Sequence, residues 1–386
     1  MDKFIPLSVP NLKGNELRYV VDAIEKEWVS TGGAYINQFE KNIAEYVNVD
    51  EAVACQSGTA GLHLSLLLSG VTSEDEVIVP TLTFIAAVNP VKYIGAEPVF
   101  MDCDDTLTMD TNKLREFCDS ECDFVEGKLI DKFNGKHIKA LVVVHIFGNN
   151  ANMEAVMDIA KKYNLNVIED ATEALGSKYI EGEYEGMYLG TIGDFGVYSF
   201  NGNKIITTGG GGMIVSNHPE LLKKAKYLST QAKDDELYYI HGEVGYNYRM
   251  TNLQAALGVA QLEQLDKFIE IKKKNYELYK QLIEKVQNLD ILSFNDGIDT
   301  NYWFYSLLVK NNYHMSVDEL IKYLGENKIQ ARPIWDLIHK QKPYLGYRTY
   351  KIEKAEEYLK KIISIPCSSN LTEDEVKYVV QVLTRA

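Results

Sequence analysis

Cysteine is scarce in this chain of 386 residues, and long apolar runs are absent from it. The five cysteines form neither a CxxC pair nor a zinc-like quartet, so we expect free thiols in a reducing compartment and no metal site. No run reaches the ~18 consecutive apolar residues that a spanning helix needs. The first residues also lack the apolar segment of a secretory signal, and we expect a cytoplasmic protein.

Positive charge is also in short supply. Lysine and arginine number 40 against 55 aspartates and glutamates, which gives a formal net charge of −15. Such a balance repels the phosphates of nucleic acids and anionic membrane surfaces, so neither is predicted as a main partner. Apolar residues make up 46% and charged residues 25%, which is ordinary for a folded globular protein. The length indicates two domains, or one large domain carrying a smaller one.

Short β-branched runs alternate with amphipathic stretches, which is typical of an α/β protein with a mostly parallel sheet. Seven strands are predicted for that sheet, at 52–55, 76–79, 98–101, 140–145, 166–169, 196–200 and 212–216. Helices are predicted between them at 60–68, 84–93, 153–163 and 219–229, and the charged segment 117–137 is predicted to be a surface excursion.

The pattern changes after residue 252. A long helical period runs from 253 to about 286, and a strand (304–309), a helix (316–327), an extended piece ending at 333 and two more helices follow it. We therefore predict a large domain at 1–252, and a linking helix with a small C-terminal α+β domain at 253–386.

Three short motifs carry the chemistry. Residues 56–60, QSGTA, follow a predicted strand and open a helix, so they could hold a phosphate, although they also suit an ordinary helix N-cap. Residues 167–174, VIEDATEA, put acidic residues at the carboxyl end of a strand, where open α/β sheets bind ligands. Asp170 there could hold a cation or a protonated ring nitrogen, or cap the next helix.

The third motif is a lysine before a glycine run. Lys204 lies between two predicted strands and is followed by four glycines at 209–212, where the backbone must turn tightly. A lysine in such a place can react with a carbonyl group. A phosphate turn, an acid at a strand end and a lysine are the parts that pyridoxal phosphate (PLP) requires. Their order along the chain predicts that cofactor.

Longer motifs then resemble a known family. They are SGTAGLHLSL (57–66), PTLTFIAAVNP (80–90), HIFGN (145–149), IEDATEALGS (168–177), YSFNGNK (198–204), GYNYRMTNLQAALGVAQL (245–262) and ARPIW (331–335). The chain is similar almost end to end to the DegT/DnrJ/EryC1/StrS sugar aminotransferases. The resemblance implies the aspartate aminotransferase fold of type I, PLP as cofactor, and a homodimer with shared active sites.

The resemblance also implies roles for particular residues. Lys204 would hold the cofactor aldehyde and move the proton, and Asp170 would pair with the pyridine nitrogen. Glu173 stands where the family usually has Gln or His near the ring hydroxyl, and Gly210 stands where it commonly has Glu. The remaining cofactor contacts implied are Gly58, Thr59 and Ala60 at the phosphate, Ser199 as a further hydroxyl, Phe84 on the ring face, and Asn247 from the partner subunit.

Substrate contacts are less defined by the resemblance. Candidates for the nucleotide diphosphate or the sugar are Arg332, His339, His241 and Arg249, each of which could equally be a surface or interface charge. Trp28, Tyr35 and Trp335 are candidate sugar-pocket residues that could equally be core aromatics.

The stretch NGNKIITTGGGGM is similar to the branch that acts on nucleotide-linked 4-keto-6-deoxy-N-acetylhexosamines of the bacillosamine and legionaminic acid type. The expected reaction moves an amino group from glutamate to position 4 of the sugar. One alternative is a sugar dehydratase of the same fold, in which histidine replaces the lysine, and Lys204 disfavours it. Others are an NAD-dependent nucleotide-sugar oxidoreductase and a binding protein without turnover.

Overall fold

Strands and helices alternate along the chain as the sequence predicts. The computed structural model describes residues 3–235 and 237–386. Its strands are β1 (Ala52–Cys55), β2 (Asp75–Pro80), β3 (Glu97–Met101), β4 (Cys122–Val125), β5 (Lys128–Asp131), β6 (His137–Val144), β7 (Asn166–Asp170), β8 (Lys178–Tyr179), β9 (Phe195–Ser199), β10 (Gly212–Val215), β11 (Lys233–Asp235), β12 (Ile240–His241), β13 (Leu289–Ile291), β14 (Ile298–Asp299), β15 (Tyr305–Val309), β16 (Arg332–Pro333), β17 (Thr349–Tyr350) and β18 (Ile362–Ile365). The helices are α1 (Glu16–Glu25), α2 (Ala34–Val47), α3 (Gly58–Leu68), α4 (Asn89–Ile94), α5 (Thr111–Ser120), α6 (Met153–Tyr163), α7 (Pro219–Ser229), α8 (Asn252–Leu262), α9 (Leu265–Ile283), α10 (Val317–Glu326), α11 (Lys354–Leu359) and α12 (Glu373–Arg385).

The main sheet has the order β1-β10-β9-β7-β6-β2-β3-β17, and the β4–β5 hairpin joins it through β6. Strands β9, β7, β6, β2, β3 and β17 run parallel, and β10 is antiparallel to both β1 and β9. The seven predicted strands are confirmed as β1, β2, β3, β6, β7, β9 and β10. Their apolar runs are buried because helices cover both faces of a parallel sheet.

The segment at 117–137 is predicted to be a charged, irregular excursion at the surface. Much of it is exposed, but the prediction that it is irregular is wrong. The segment contains the end of α5 and the hairpin β4–β5, whose second strand pairs with β6. Glu126 and Gly127 connect the two strands with φ angles of 50° and 76°, the combination that a two-residue hairpin turn requires. About half of this hairpin faces solvent and carries charged side chains, so its sequence resembles that of a loop.

The long helix predicted from 253 to 286 is two helices, α8 and α9. Helix α8 is mostly buried between α1 and α2, whereas α9 is amphipathic and packs on α12 and β13. The break between the two helices allows α8 to pack on α1 and α2 while α9 packs on α12 and β13. The division of the chain into two domains at residue 252 stays a prediction.

The C-terminal region forms a smaller sheet of order β13-β15-β18-β16 with α10 and α12 around it. The predicted strand, helix, extended piece and two final helices are confirmed as β15, α10, β16, α11 and α12. The N-terminal segment also joins this region, since Ile5 bridges to Ile329. Within the described ranges, no helix combines the length and the apolar character needed to cross a bilayer.

Candidate active site

A cavity of about 320 Å³ opens where the carboxyl ends of β7 and β9 meet the N-terminus of α3. Of the residues predicted for the cofactor or the sugar, it brings together Gly58, Thr59, Phe84, Asp170, Glu173, Ser199, Lys204 and Trp335. These residues come from five separate stretches of the chain, at 58–59, 84, 170–173, 199–204 and 335. The three motifs therefore meet at the carboxyl ends of the strands, where they predicted a ligand site.

Helix α3 presents its free N-terminus to this cavity. Ser57 caps the helix, because its Oγ accepts a hydrogen bond from the backbone N–H of Ala60 at 3.1 Å. The N–H groups of Gly58 and Thr59 belong to the first turn, which has no partners within the helix, and both residues line the cavity. The N-cap and the phosphate turn are thus one structure, and Ala60 contributes to the cap rather than to the lining.

Glycine is required at position 58 because the helix start lies against β9 and the acidic loop. A Cβ atom there would come within 2.9 Å of Thr172 Cγ2 and 3.0 Å of Ser199 Cβ. The close approach brings the helix dipole and the strand-end residues to one side of the cavity.

Asp170 ends β7 and is 4% exposed. Its Oδ1 accepts a hydrogen bond from the Thr172 N–H at 3.1 Å. Burial raises the pKa of this carboxyl, while the hydrogen bond from Thr172 and the charge of Lys204 act in the opposite direction. A cationic group placed beside Asp170 would supply the counter-charge that this buried carboxylate needs.

Glu173 lies one turn further along and is equally buried, at 4% exposed. Its Oε2 accepts a hydrogen bond from the Phe147 N–H at 2.7 Å. Burial raises the pKa of Glu173 to about 7, and the ammonium of Lys204 opposes that shift. The group therefore titrates near neutral pH.

Lys204 follows a turn after β9 and points into the cavity. Its Nζ lies 3.6 Å from Glu173 Oε1 and 4.2 Å from the centre of the Trp303 ring. Among the described residues that line the cavity, it is the one lysine or arginine. An amine, two buried carboxylates and a helix N-terminus thus share one small space.

The strand end beneath the site is held by a buried polar pair. Glu169 Oε2 accepts hydrogen bonds from His145 Nε2 at 2.8 Å and from the Gly190 N–H at 2.9 Å. Its Oε1 accepts from the N–H groups of Ile192 and Gly193. Since Asp170 is the next residue, these four contacts fix its position without using its own carboxylate.

Aromatic rings form the wall of the cavity opposite the helix. Phe84 is 53% exposed, and its ring centre lies 6.2 Å from that of Trp335. Trp335 in turn packs against Phe147 at 5.2 Å. An exposed aromatic ring over a polar cavity suits stacking on a flat heterocycle.

Besides Ala60, five predicted cofactor or substrate contacts lie outside this lining. Asn247 is exposed and bridges to Thr230, and His241 is exposed with its Nδ1 donating to the Gln231 carbonyl at 2.7 Å. Arg249 is buried and pairs with Glu40. The other two are Arg332, which is exposed in β16, and His339, whose Nδ1 lies 2.6 Å from Thr81 Oγ1.

Trp28 and Tyr35 line a different groove, of about 560 Å³, between α1, α2 and the start of α8. Trp28 is 60% exposed there, and the Tyr35 hydroxyl donates to Asp22. Trp28 is therefore an exposed aromatic and Tyr35 a half-buried one, and both lie away from the cavity. Their predicted place in a sugar pocket stays a prediction.

Sequence reasoning missed several residues that line the cavity. They are Ser57, Leu62, Thr83, Ala86, Ala87, Thr172, Asn201, Asn203, Gly211 and Trp303. Gly210, which the sequence marks as a departure from the family, also lines the cavity. Most of the missed residues are neighbours of predicted residues, so a wider window around each motif would have found them. Trp303 is different, because it lies about 100 residues beyond Lys204 in sequence and no motif marked it.

The residues present fit PLP. Two free N–H groups and the dipole at α3 suit its phosphate, Asp170 suits a protonated ring nitrogen, and Lys204 suits its aldehyde. A lysine, an aspartate and a helix N-terminus at the edge of a large mixed sheet define the PLP enzymes of fold type I.

Comparison with known proteins gives the same class. The model of the DegT/DnrJ/EryC1/StrS aminotransferase family matches residues 10–384, and the chain belongs to this family. It is 38% identical over 379 residues to GDP-perosamine synthase from Escherichia coli O157:H7, covering 98% of this chain and 97% of that protein. The chain is therefore a sugar aminotransferase of a PLP-dependent family.

Two further proteins extend the comparison. UDP-4-amino-4,6-dideoxy-N-acetyl-beta-L-altrosamine transaminase from Campylobacter jejuni is 30% identical over 388 residues, covering 98% of this chain and 96% of that protein. Spr1654 from Streptococcus pneumoniae, a protein assigned as a sugar aminotransferase and solved in its PLP form, superposes with a TM-score of 0.87 at 23% identity. That superposition covers 99% of this chain and 98% of the other, and it confirms the fold.

Proposed function

We propose that this enzyme transfers an amino group from glutamate to position 4 of a nucleotide-linked 4-keto-6-deoxy-N-acetylhexosamine. The observation that carries the proposal is the meeting of Lys204, Asp170 and the N-terminus of α3 around one cavity. The named product of the Campylobacter relative supports the position of the amino group and the N-acetylated sugar class. The name of the Escherichia relative makes a GDP-linked sugar the second candidate substrate.

When bound, PLP supplies an aldehyde that takes up the amino group and a ring that withdraws electrons from the reacting carbon. Lys204 would carry the aldehyde before the donor binds, and would then hold and move the proton at the reacting carbon. Within the part of the chain that the structure describes, Lys204 is the one lysine or arginine of the cavity lining. Its amine is therefore the group that can both bind the aldehyde and carry the proton.

Two carboxylates would divide the remaining work. Asp170 would keep a ring nitrogen protonated, since a buried carboxylate favours a cation beside it. Glu173 would exchange a proton with Lys204, because its carboxyl titrates at about pH 7 and lies 3.6 Å from Nζ.

The phosphate would lie against the N-terminus of α3. The N–H groups of Gly58 and Thr59 and the hydroxyls of Thr59 and Ser199 would hold it. Phe84 would stack on the ring and, with Trp335, exclude water from that face.

The nucleotide diphosphate needs positive charge that the cavity does not offer beyond Lys204. Arg332 and His339 come from the C-terminal region of the same chain. His241 and Asn247 are exposed beyond α7, whereas Arg249 is buried against Glu40. We propose that Asn247 and its neighbours act in the active site of the partner subunit of a homodimer. Asn247 is exposed in its own protomer, which supports that arrangement.

The test is a matched set of substrates. Purified enzyme with PLP and glutamate would be given UDP-linked and GDP-linked 4-keto-6-deoxy sugars, with and without the N-acetyl group, and the products identified by mass spectrometry and NMR. Amination at position 4 of the N-acetylated sugar with the highest kcat/KM supports the proposal. A preference for a sugar without the N-acetyl group, or amination elsewhere, overturns the substrate assignment and leaves the reaction class.

A further inference from the structure

Trp303 lies on the reactive lysine. It is 2% exposed, and the Nζ of Lys204 stands 4.2 Å from the centre of its ring. A cation over the face of an indole is attracted by the ring quadrupole, and Trp is the best aromatic partner for this contact. With Glu173 Oε1 at 3.6 Å, the amine has a carboxylate and an aromatic face as its two neighbours.

The same indole also holds the backbone beside the lysine. Its Nε1–H donates to the carbonyl of Asn203 at 2.8 Å, and Asn203 directly precedes Lys204. One side chain therefore fixes both the start of the lysine side chain and its charged end.

A buried amide joins the two neighbours of the lysine. Asn301 is fully buried, and its Oδ1 accepts from the backbone N–H of Trp303 at 2.9 Å. Its Nδ2 donates to the carbonyls of Glu173 at 2.9 Å and Leu175 at 3.0 Å. Tyr302, between the two, has a φ of 53°, in the left-handed region that turns the chain back toward the cavity.

We infer that Trp303 is a positioning residue that, together with Glu173, holds the amine of Lys204 whenever that amine is not bound to the cofactor. In a transamination the lysine must leave the cofactor when the amino donor arrives and must then work as a proton carrier. If the lysine side chain were free to change rotamer at that stage, its amine would lose the geometry that proton transfer needs. Trp303 gives it a fixed place. The inference rests on the proposed role of Lys204.

The test uses cofactor-free protein, so it does not depend on turnover or on the sugar. An amine-acylating reagent is added and the labelling rate of each lysine peptide is followed by mass spectrometry. Lys274, whose side chain is 70% exposed, is the internal standard, and Lys272, which is 3% exposed, reports any unfolding. We expect Trp303→Leu to label Lys204 about fivefold faster than the wild type, the change that a contact of about 1 kcal/mol gives.

Two variants separate the aromatic face from other effects. Trp303→Phe keeps a ring face but loses the bond to Asn203, and its labelling rate should stay within about twofold of the wild type. Trp335→Leu opens the same cavity wall without touching Lys204, and it should also stay within about twofold. Equal rates for Trp303→Leu and the wild type, or for Trp303→Leu and Trp335→Leu, overturn the inference.

A third measurement stands if Trp303→Leu fails to fold. The chain has three tryptophans, so Trp28→Phe with Trp335→Phe leaves Trp303 alone. Fluorinated tryptophans have almost the same shape but a weaker ring quadrupole, and each added fluorine should raise the labelling rate of Lys204 further. No dependence on fluorination contradicts the inference. Loss of PLP binding with graded labelling intact would instead count against the proposed function alone.

Discussion

Oε1 of Glu173 lies 3.6 Å from Nζ of Lys204, and both side chains are nearly closed off from solvent. The Phe147 N–H fixes the other oxygen of the same carboxylate at 2.7 Å. Phe147 itself has a φ of 57°, which is uncommon for a bulky residue and costly unless the surroundings hold it. The orientation of Glu173 toward the lysine is therefore built into the fold.

Glu173 should make the stability of the cofactor-free protein depend on pH. Burial raises its pKa from 4.5 to about 7, so the folded chain keeps a proton that the unfolded chain releases. The stability that the protonated Glu173 contributes to the folded chain is fully present below about pH 4.5, and it is lost as the pH rises through about 7. Glu173→Gln cannot ionise, so its free energy of unfolding lacks this loss. Between about pH 5 and about pH 8 we expect the variant's free energy of unfolding to rise by about 1–3 kcal/mol relative to that of the wild type.

Urea unfolding of the cofactor-free proteins at the two pH values measures this difference. Glu185→Gln, on an exposed turn, is the matched control and should follow the wild type. A Glu173→Gln curve parallel to the wild-type curve would show that Glu173 is already ionised throughout this range.

Gly58→Ala should weaken PLP binding. The added Cβ would lie 2.9 Å from Thr172 and 3.0 Å from Ser199, so the start of α3 must move away from the strand ends. Overpacking of this kind costs about 1–3 kcal/mol, and we expect PLP to bind about tenfold or more weakly. Titration followed by absorbance gives the dissociation constant.

Gly202→Ala is the control for that variant. A Cβ at position 202 would meet no atom within 4 Å, although the residue lies only two positions before Lys204. Its PLP affinity should equal that of the wild type. Equal affinity for Gly58→Ala would mean that the phosphate does not rely on the first turn of α3.

Arg249 should act first on stability. It forms a buried ion pair with Glu40, and the two side chains are 7% and 9% exposed. Removing one partner of a buried pair costs about 3–5 kcal/mol, and the low end, about 3 kcal/mol, applies here because Glu40 keeps Lys226 at 3.3 Å and the Ala54 N–H as partners. We expect Arg249→Ala to lose about that much in urea unfolding, and Glu40→Leu with Arg249→Met to lose less. An unchanged free energy of unfolding together with a raised KM for the sugar would assign Arg249 to the substrate instead.

Asn247 and Lys204 should complement each other across subunits. If Asn247 serves the partner's site, Lys204→Ala and Asn247→Ala are each poorly active alone. Refolding an equal mixture should then restore about one quarter of wild-type activity, since half of the dimers are mixed and each has one intact site. No recovery in a mixture that light scattering shows to be dimeric would place both residues in the same subunit's site.

Much of the fold followed from the sequence because buried parallel strands read as short apolar runs. Strand β17 did not, since it has two residues and joins β3 from about 250 positions away in the chain. The β4–β5 hairpin was missed because its exposed charges resemble those of a loop. In both cases the pairing partner, rather than the local sequence, makes the strand.

The site residues also fall into those that a local motif predicts and those that only the folded chain brings together. Gly58, Asp170 and Lys204 lie in local motifs whose spacing carries the chemistry, and they meet in one cavity. The contact of Trp303 with Lys204 depends on the turn at Tyr302 and on the buried hydrogen bond from the Trp303 N–H to Asn301, which no local sequence pattern predicts. The buried partner of Arg249 could not be predicted either, because Glu40 lies about 200 positions earlier in the chain.

The covalent attachment of PLP to Lys204 tests the central claim most directly. Purified protein with PLP would be treated with borohydride and its peptides mapped, and absorption spectra would be recorded before and after glutamate for the wild type and Lys204→Ala. The account predicts a visible absorption band that glutamate shifts, and a cofactor mass fixed on the Lys204 peptide, both missing from the variant. A cofactor fixed on another lysine, or no band at saturating PLP, would contradict it.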